Sequence, residues 1–237
     1  MMKRFLISLM AVIMLFALVG CGSSAETAQP KTTDAPPVNE QTTPPAGNDT
    51  SKDQEPDDSD TTGGSSILVI YFSRTGEQYT VGVIDKGNTA IVAEMIAEQT
   101  GADLFEVLPV DDHYPMTYSE LTDVARQEQN DKARPEYAGE LPDLSQYDTV
   151  FIGAPVWWGD WPMIMYTVFE SNDFLGKKLV PFSTHEGSGL SGFDRKLASA
   201  CPDAEVLDGL AIRGNDCQNK QDSVRTTVSD WLSGLGY

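Results

Sequence analysis

Five apolar runs, each separated from the next by a segment of helical period, constrain this chain more than any other feature. Residues 67–72, ILVIYF, are continuous, β-branched and aromatic, the pattern of a strand buried on both faces. Similar runs recur at 103–108, 148–153, 178–182 and 205–212. Helices are expected over 88–99, 118–131, 163–170 and 191–199, with a last one over 220–234 whose apolar stripe is Val224, Val228, Trp231 and Leu232. Strands alternating with helices predict a parallel sheet covered on both faces. In such sheets ligands bind beyond the carboxyl ends of the strands. That rule singles out the loops after the first, third and fourth strands.

The first 66 residues have a different character. Lys3 and Arg4 precede an uncharged apolar run from Phe5 to Val19, shorter than the ~20 residues a membrane span needs. This is the layout of a secretory signal. Leu18-Val19-Gly20-Cys21 resembles a bacterial lipobox, so residues 1–20 are expected to be removed and Cys21 acylated; an ordinary signal peptide with an incidental Cys is the alternative. Residues 21–66 are Ser, Thr, Pro, Gly and acids, with almost no large apolar side chain. They are expected to form a disordered acidic tether. The protein would then sit outside the cytoplasm, held to the bacterial cell membrane by lipid alone.

Of the formal charge of −20, the folded stretch 67–237 carries −15, with 27 acidic against 12 basic residues. Such a surface excludes nucleic acid and electrostatic docking on anionic lipid. Cys201 and Cys217 are expected at opposite ends of the strands, about 25 Å apart, too far for a disulfide. No metal site is expected.

The first of the three loops, SRTGEQYTVGVIDKGNT (73–89), begins and ends like a phosphate-binding turn. With 77–87 set aside as an insertion, Ser73, Thr75, Gly76, Asn88 and Thr89 form S-x-T-G…N-T before a helix, where hydroxyls and free N–H groups suit a monophosphate. Ordinary helix caps are the alternative. Neither GxxxxGK[ST] nor GxGxxG is present. In the second loop, GAPVWWGDWP (153–162), Gly159 and two prolines make a rigid turn carrying Trp157, Trp158 and Trp161. Indoles there could stack on a flat ring, cap the core or face a partner. The third loop, STHEGSGLSG (183–192), offers His185, Glu186 and a glycine-rich run of amide donors. No G-x-S-x-G elbow accompanies it, so a hydrolase is not indicated. A phosphate site, an aromatic clamp and a rim of amide donors together suit flavin mononucleotide.

In these stretches, YFSRTGE…KGNTAIVAEMIA, LPDLSQYDTVFIGAPVWWGDWPM and KLVPFSTHEGSGLSG, the chain resembles the flavodoxin family, in the subgroup with a longer first loop. The resemblance covers 67–237. It implies a flavodoxin-like three-layer α/β sandwich around a five-stranded parallel sheet of order 2-1-3-4-5, and non-covalent FMN. It further implies phosphate on Ser73, Thr75, Asn88 and Thr89, with Gly76 or Arg74 sharing the role. Pro155, Val156, Trp157 and Trp158 would line the ring, and Thr184, His185, Gly187, Ser188 and Gly189 would meet its polar edge.

A cofactor of this kind carries the redox chemistry while the protein sets its potential. The expected function is therefore electron transfer to an unidentified redox protein or a quinone. Two alternatives stand beside it: an FMN-dependent NAD(P)H:quinone or nitro reductase with His185 as proton donor, and a non-enzymatic lipoprotein whose tryptophans clamp another ligand.

Overall fold

The structure, a computed structural model, describes residues 66–237. The expected signal segment, Cys21 and, but for Ser66, the tether lie outside the described residues. The described residues open with β1 (Ile67–Tyr71), then a small hairpin of β2 (Gly76–Gln78) and β3 (Gly82–Ile84), and enter α1 (Asn88–Thr100). The chain continues through β4 (Asp103–Glu106), α2 (Tyr118–Asp131), β5 (Thr149–Pro155), α3 (Met163–Ser171) and β6 (Lys178–His185). After α4 (Phe193–Ala200) come β7 (Glu205–Val206), β8 (Leu210–Arg213), α5 (Gly214–Asn219) and α6 (Gln221–Leu235).

The main sheet is parallel throughout, in the order β4-β1-β5-β6, with β7 and β8 both on the outer edge of β6. Set apart from the hairpin, this is the expected 2-1-3-4-5 order with the fifth strand broken in two. Backbone chemistry explains the break. Leu207 N–H donates to the Leu179 carbonyl at 2.9 Å, so alternate residues of β6 (179, 181, 183) direct their backbone groups to this edge. At Pro181 there is no N–H to offer, and the ladder lapses until Phe182 and Ser183 align with Leu210 and Ala211.

Alternation along the strands sends side chains into two cores. Val69, Phe151, Val180 and Phe182 pack under α1 and α6, against Val92, Ile96, Val224 and Val228. On the opposite face Leu68, Ile70, Val150, Ile152 and Leu179 meet Ile164, Val168, Phe193 and Leu197 from α3 and α4, together with Leu121 of α2. Trp161 belongs to this second core. It is 1% exposed, stacks on Phe193 at 3.6 Å and meets Phe169 edge-on at 5.3 Å. Cys201 and Cys217 are free and buried in opposite cores, where burial raises their pKa values to about 11 and about 12. Such thiols stay protonated and unreactive. Among the described residues no helix is long and apolar enough to cross a membrane.

α2 is polar over most of its surface, and only Leu121, Ala125 and Glu128 are buried. A carboxylate at Glu128 is costly unless paired, and two neighbours satisfy it. Tyr114 O–H donates to one oxygen at 3.2 Å and His113 Nε2 lies 3.0 Å from the other. His113 Nδ1 is 2.9 Å from the Asp111 carbonyl, so both ring nitrogens face acceptors and both carry protons. Burial works against that charge, but the Asp111 carbonyl and the Glu128 carboxylate outweigh it and raise the His113 pKa. For Glu128, burial raises the pKa more than its two partners lower it. Beside this cluster Arg74 grips both oxygens of Asp112 at 2.8 and 2.9 Å and the Tyr114 carbonyl at 2.8 Å.

Two outcomes follow from this packing. Trp161→Ala removes a fully buried indole, and urea unfolding should show a loss of about 3–5 kcal/mol. Glu128 and His113 both have raised pKa values in the folded protein, so each contributes stability that is present below its unfolded value and lost as pH rises through the folded one. Wild-type stability should therefore fall as pH climbs from 4.5 (Glu128) and again from 6.5 (His113). Glu128→Gln should flatten that part of a stability–pH profile measured by urea midpoints.

Candidate functional site

β5 and β6 run further than their apolar cores require, ending at Pro155 and His185. A bond of 2.9 Å from Val156 N–H to the Thr184 carbonyl ties their ends together. Beyond it the chain turns sharply. Trp157 and Asp160 exchange two backbone hydrogen bonds of 2.9 Å, and the residues between them, Trp158 and Gly159, have φ of +51° and +73°. This is a type I′ turn, in which both central residues must take positive φ. Gly adopts it readily; Trp does not. Below the turn, Asp160 accepts from Trp161 N–H at 2.8 Å and Tyr166 O–H at 2.9 Å, and pairs with Lys196 at 3.1 Å.

The turn divides three tryptophans that look alike in sequence. Trp161 points into the core. Trp157 is half-buried, its ring edge-on to Phe72 at 5.4 Å and Tyr114 at 5.2 Å. Trp158 stays 48% exposed, yet is held on both sides: Nε1–H donates to the Thr122 carbonyl at 2.8 Å, and the Arg126 guanidinium lies 3.5 Å over the ring.

In the first loop, Ser73 Oγ accepts from Ala90 N–H at 3.0 Å and caps α1. Gly87 makes this possible, since a Cβ there would lie 2.1 Å from Ser73 Oγ. Thr89 Oγ1 meets Thr184 Oγ1 at 2.8 Å, and Asn88 Oδ1 accepts from Gln218 Nε2 at 2.8 Å. The insertion forms the β2–β3 hairpin and docks on α2. Glu77 N–H donates to the Met116 carbonyl at 2.8 Å, and its carboxylate accepts from Tyr118 N–H at 2.9 Å, capping the helix.

In the third loop, Gly187 N–H donates to His185 Nδ1 at 2.8 Å. His185 therefore carries its proton on Nε2, and burial, helped by Arg213, lowers its pKa and keeps it neutral. The Glu186 carboxylate accepts from Asn215 N–H at 2.6 Å, and Ser183 Oγ donates to the Gly189 carbonyl at 3.1 Å.

These elements enclose one cavity of about 480 Å³, within the range of small-molecule sites. It brings together Asn88, Pro155, Val156, Trp157, Trp158 and Gly159 with Thr184, His185, Gly187 and Ser188. Ser73, Thr75, Gly76, Thr89 and Gly189 are not among its lining residues. Ser73 and Thr89 are spent on hydrogen bonds just behind it, Thr75 is exposed, and Gly76 opens β2 against the Met116 carbonyl. Sequence reasoning missed Gln78 and Tyr79 of the insertion and Tyr118, Leu121, Thr122 and Ala125 of α2, as well as Gly214. Glu186 lines the cavity too; it was noted beside His185 without a binding role. The α2 face gave only the signal of an ordinary amphipathic helix. Among the described residues no Lys or Arg lines the cavity, so these residues can hold a flat ring by stacking and polar edges by amide and imidazole N–H, without a charged clamp. Among the described residues no cluster of three His, Cys, Asp or Glu could hold a metal ion.

A protein-family model described as flavodoxin matches residues 66–232. A candidate flavoprotein from Bacteroides eggerthii superposes with a TM-score of 0.57 at 28% identity, covering 73% of this chain and 99% of its own. A second, from Bacteroides uniformis, gives 0.56 at 28% identity over 70% and 99%. The flavoprotein of Lactobacillus acidophilus, solved in complex with FMN, shares the fold with a TM-score of 0.50 at 21% identity over 67% and 99%. Among curated proteins there is no match. With the family match spanning most of the chain and the sheet order agreeing with it, the chain belongs to the flavodoxin family.

Proposed function

We propose that this chain holds FMN in the cavity at the β5 and β6 ends and carries electrons outside the cytoplasmic membrane, anchored through lipid on Cys21. One observation carries the cofactor reading: a single cavity joins the start of α1 to two indoles and to the backbone of 184–188. The FMN seen in the Lactobacillus acidophilus relative supports it. Asn88 and Thr89, as the first residues of α1, have no intrahelical partner for their N–H groups, and no other described group accepts them. They suit a phosphate, which also gains from the helix dipole. Trp157 and Trp158 would stack on the ring. The amide of Ser188 and the Nε2–H of neutral His185, whose tautomer the Gly187 amide fixes, would donate to its polar edge.

When bound, FMN accepts and returns electrons; the chain's part is to hold it and bias it. A domain of −15 disfavours added negative charge, which lowers the potential. The absence of Lys and Arg from the cavity wall leaves a dinucleotide's extra phosphates without a cation, and this favours a carrier over an NAD(P)H reductase. Its partner would be a redox protein or a quinone. The apolar leader ending in Gly20-Cys21 supports the anchor.

Full-length protein, mixed with FMN and freed of excess, should show the visible bands of oxidised flavin. Trp157→Ala with Trp158→Ala should weaken FMN binding at least about tenfold at unchanged far-UV circular dichroism. A colourless protein refutes the cofactor, and unaltered affinity in the double variant refutes the clamp. Separately, Cys21→Ser should move the protein from the membrane to the soluble fraction of the expressing bacterium.

A further inference from the structure

A third of the residues lining the cavity have no task in the FMN reading. They come from the β2–β3 hairpin and from α2: Gln78, Tyr79, Tyr118, Leu121, Thr122 and Ala125. Every one of these side chains is uncharged, although Glu77, Glu120 and Asp123 beside them in sequence are all exposed acids. Two aromatic rings dominate the wall. Tyr79 is 55% and Tyr118 37% exposed, and their rings lie 5.4 Å apart at an interplanar angle of 30°. Exposed aromatic surface gathered on one concave wall marks a contact site. The wall is also built to stay in place, since Glu77 bonds the hairpin to Met116 and Tyr118 through both backbone and side chain.

The chemistry of this wall defines its ligand. The two phenol rings, tilted by 30° to each other, offer flat faces for stacking, and their hydroxyls offer donors to a carbonyl oxygen. The wall itself carries no charge, and the acids next to it in sequence, Glu77, Glu120 and Asp123, favour a neutral ligand over an anionic one on this side of the cavity. We infer that the Tyr79–Tyr118 wall seats a neutral, flat, carbonyl-bearing aromatic molecule of the quinone class within the same cavity as the flavin. The inference rests on the FMN reading, and it assigns the insertion 77–87 a role in ligand selection. A nicotinamide dinucleotide is disfavoured, because the free N–H groups at the start of α1 serve the FMN phosphate and, among the described residues, no Lys or Arg lines the cavity to hold further phosphates. A protein partner would place its contacts on the outer surface, whereas these residues face inward on a cavity.

The test uses full-length protein loaded with FMN, its flavin content read from visible absorption before any titration. 1,4-Naphthoquinone is then titrated calorimetrically, with its 2-sulfonate as the anionic counterpart. Wild type should bind the neutral probe and discriminate against the sulfonate. Tyr79→Ala with Tyr118→Ala should lose about tenfold in affinity at full flavin content, and Tyr79→Phe with Tyr118→Phe should restore most of it. A colourless wild type overturns both the FMN reading and this one. A yellow wild type that ignores naphthoquinone, binds the sulfonate equally well, or is unaffected by the double alanine change overturns this inference alone.

Discussion

From Thr149 to Ala154 in β5, and from Leu179 to Thr184 in β6, every residue is buried. Two helical layers cover the two faces, so neither strand can present a side chain to a ligand along its length. Only at the carboxyl ends do the layers part. The few polar side chains within these stretches are matched to partners: Thr149 to Tyr237 O–H at 2.7 Å, Ser183 to the Gly189 carbonyl at 3.1 Å, and Thr184 to Thr89 at 2.8 Å. Two of those bonds tie the strand ends to the loops that bound the cavity. Burial of β5 and β6 thus decides where the site is, and hydrogen bonds at their ends decide its shape.

The same economy explains how the first loop tolerates an insertion. Ser73, shortly before it, and Gly87, its last residue, are so close that a Cβ on Gly87 would lie 2.1 Å from the Ser73 hydroxyl and 2.8 Å from the Arg74 carbonyl. The insertion leaves and re-enters the cradle at one point. Its closure is a local cost that grows only slowly with length, and the start of α1 keeps its cap. The opening and closing halves of SRTGEQYTVGVIDKGNT are therefore one structural unit, with the hairpin standing on it as an added wall.

Much of this was legible in the sequence because it is written in local patterns. The strand runs and the bounds of α2 follow from apolar periodicity and turn residues, while the strand order comes from the resemblance to the flavodoxin family. What was not legible depends on contacts across the fold. The break between β7 and β8 is dictated by Pro181 on another strand, through a missing N–H that no reading of 205–212 contains. β2 and β3 are three residues each, GEQ and GVI, too short to show alternation. Leu121 and Ala125 occupy the apolar stripe of α2, and in sequence a stripe that lines a cavity looks the same as one that lines a core. Likewise nothing in WWGDW tells which indole turns inward; the type I′ turn does that, and it is fixed by Asp160 and its partners Tyr166 and Lys196.

Trp158 shows how the site holds an aromatic surface open. A non-glycine residue in the left-handed region costs roughly 1–2 kcal/mol, and an indole that is 48% exposed recovers only part of what full burial would give. Arg126 over its face contributes about 0.5–1 kcal/mol at an exposed site, and the bond to the Thr122 carbonyl about as much again. The terms nearly cancel. Trp158 is therefore not there to stabilise the turn, which Asn or Gly would make with less strain. Its contacts with α2 fix the plane of a ring that also lines the cavity, so the strain is offset locally while part of the indole stays exposed. Strain retained where the sequence could have avoided it, and directed at a cavity, is the mark of a position set by binding rather than by folding.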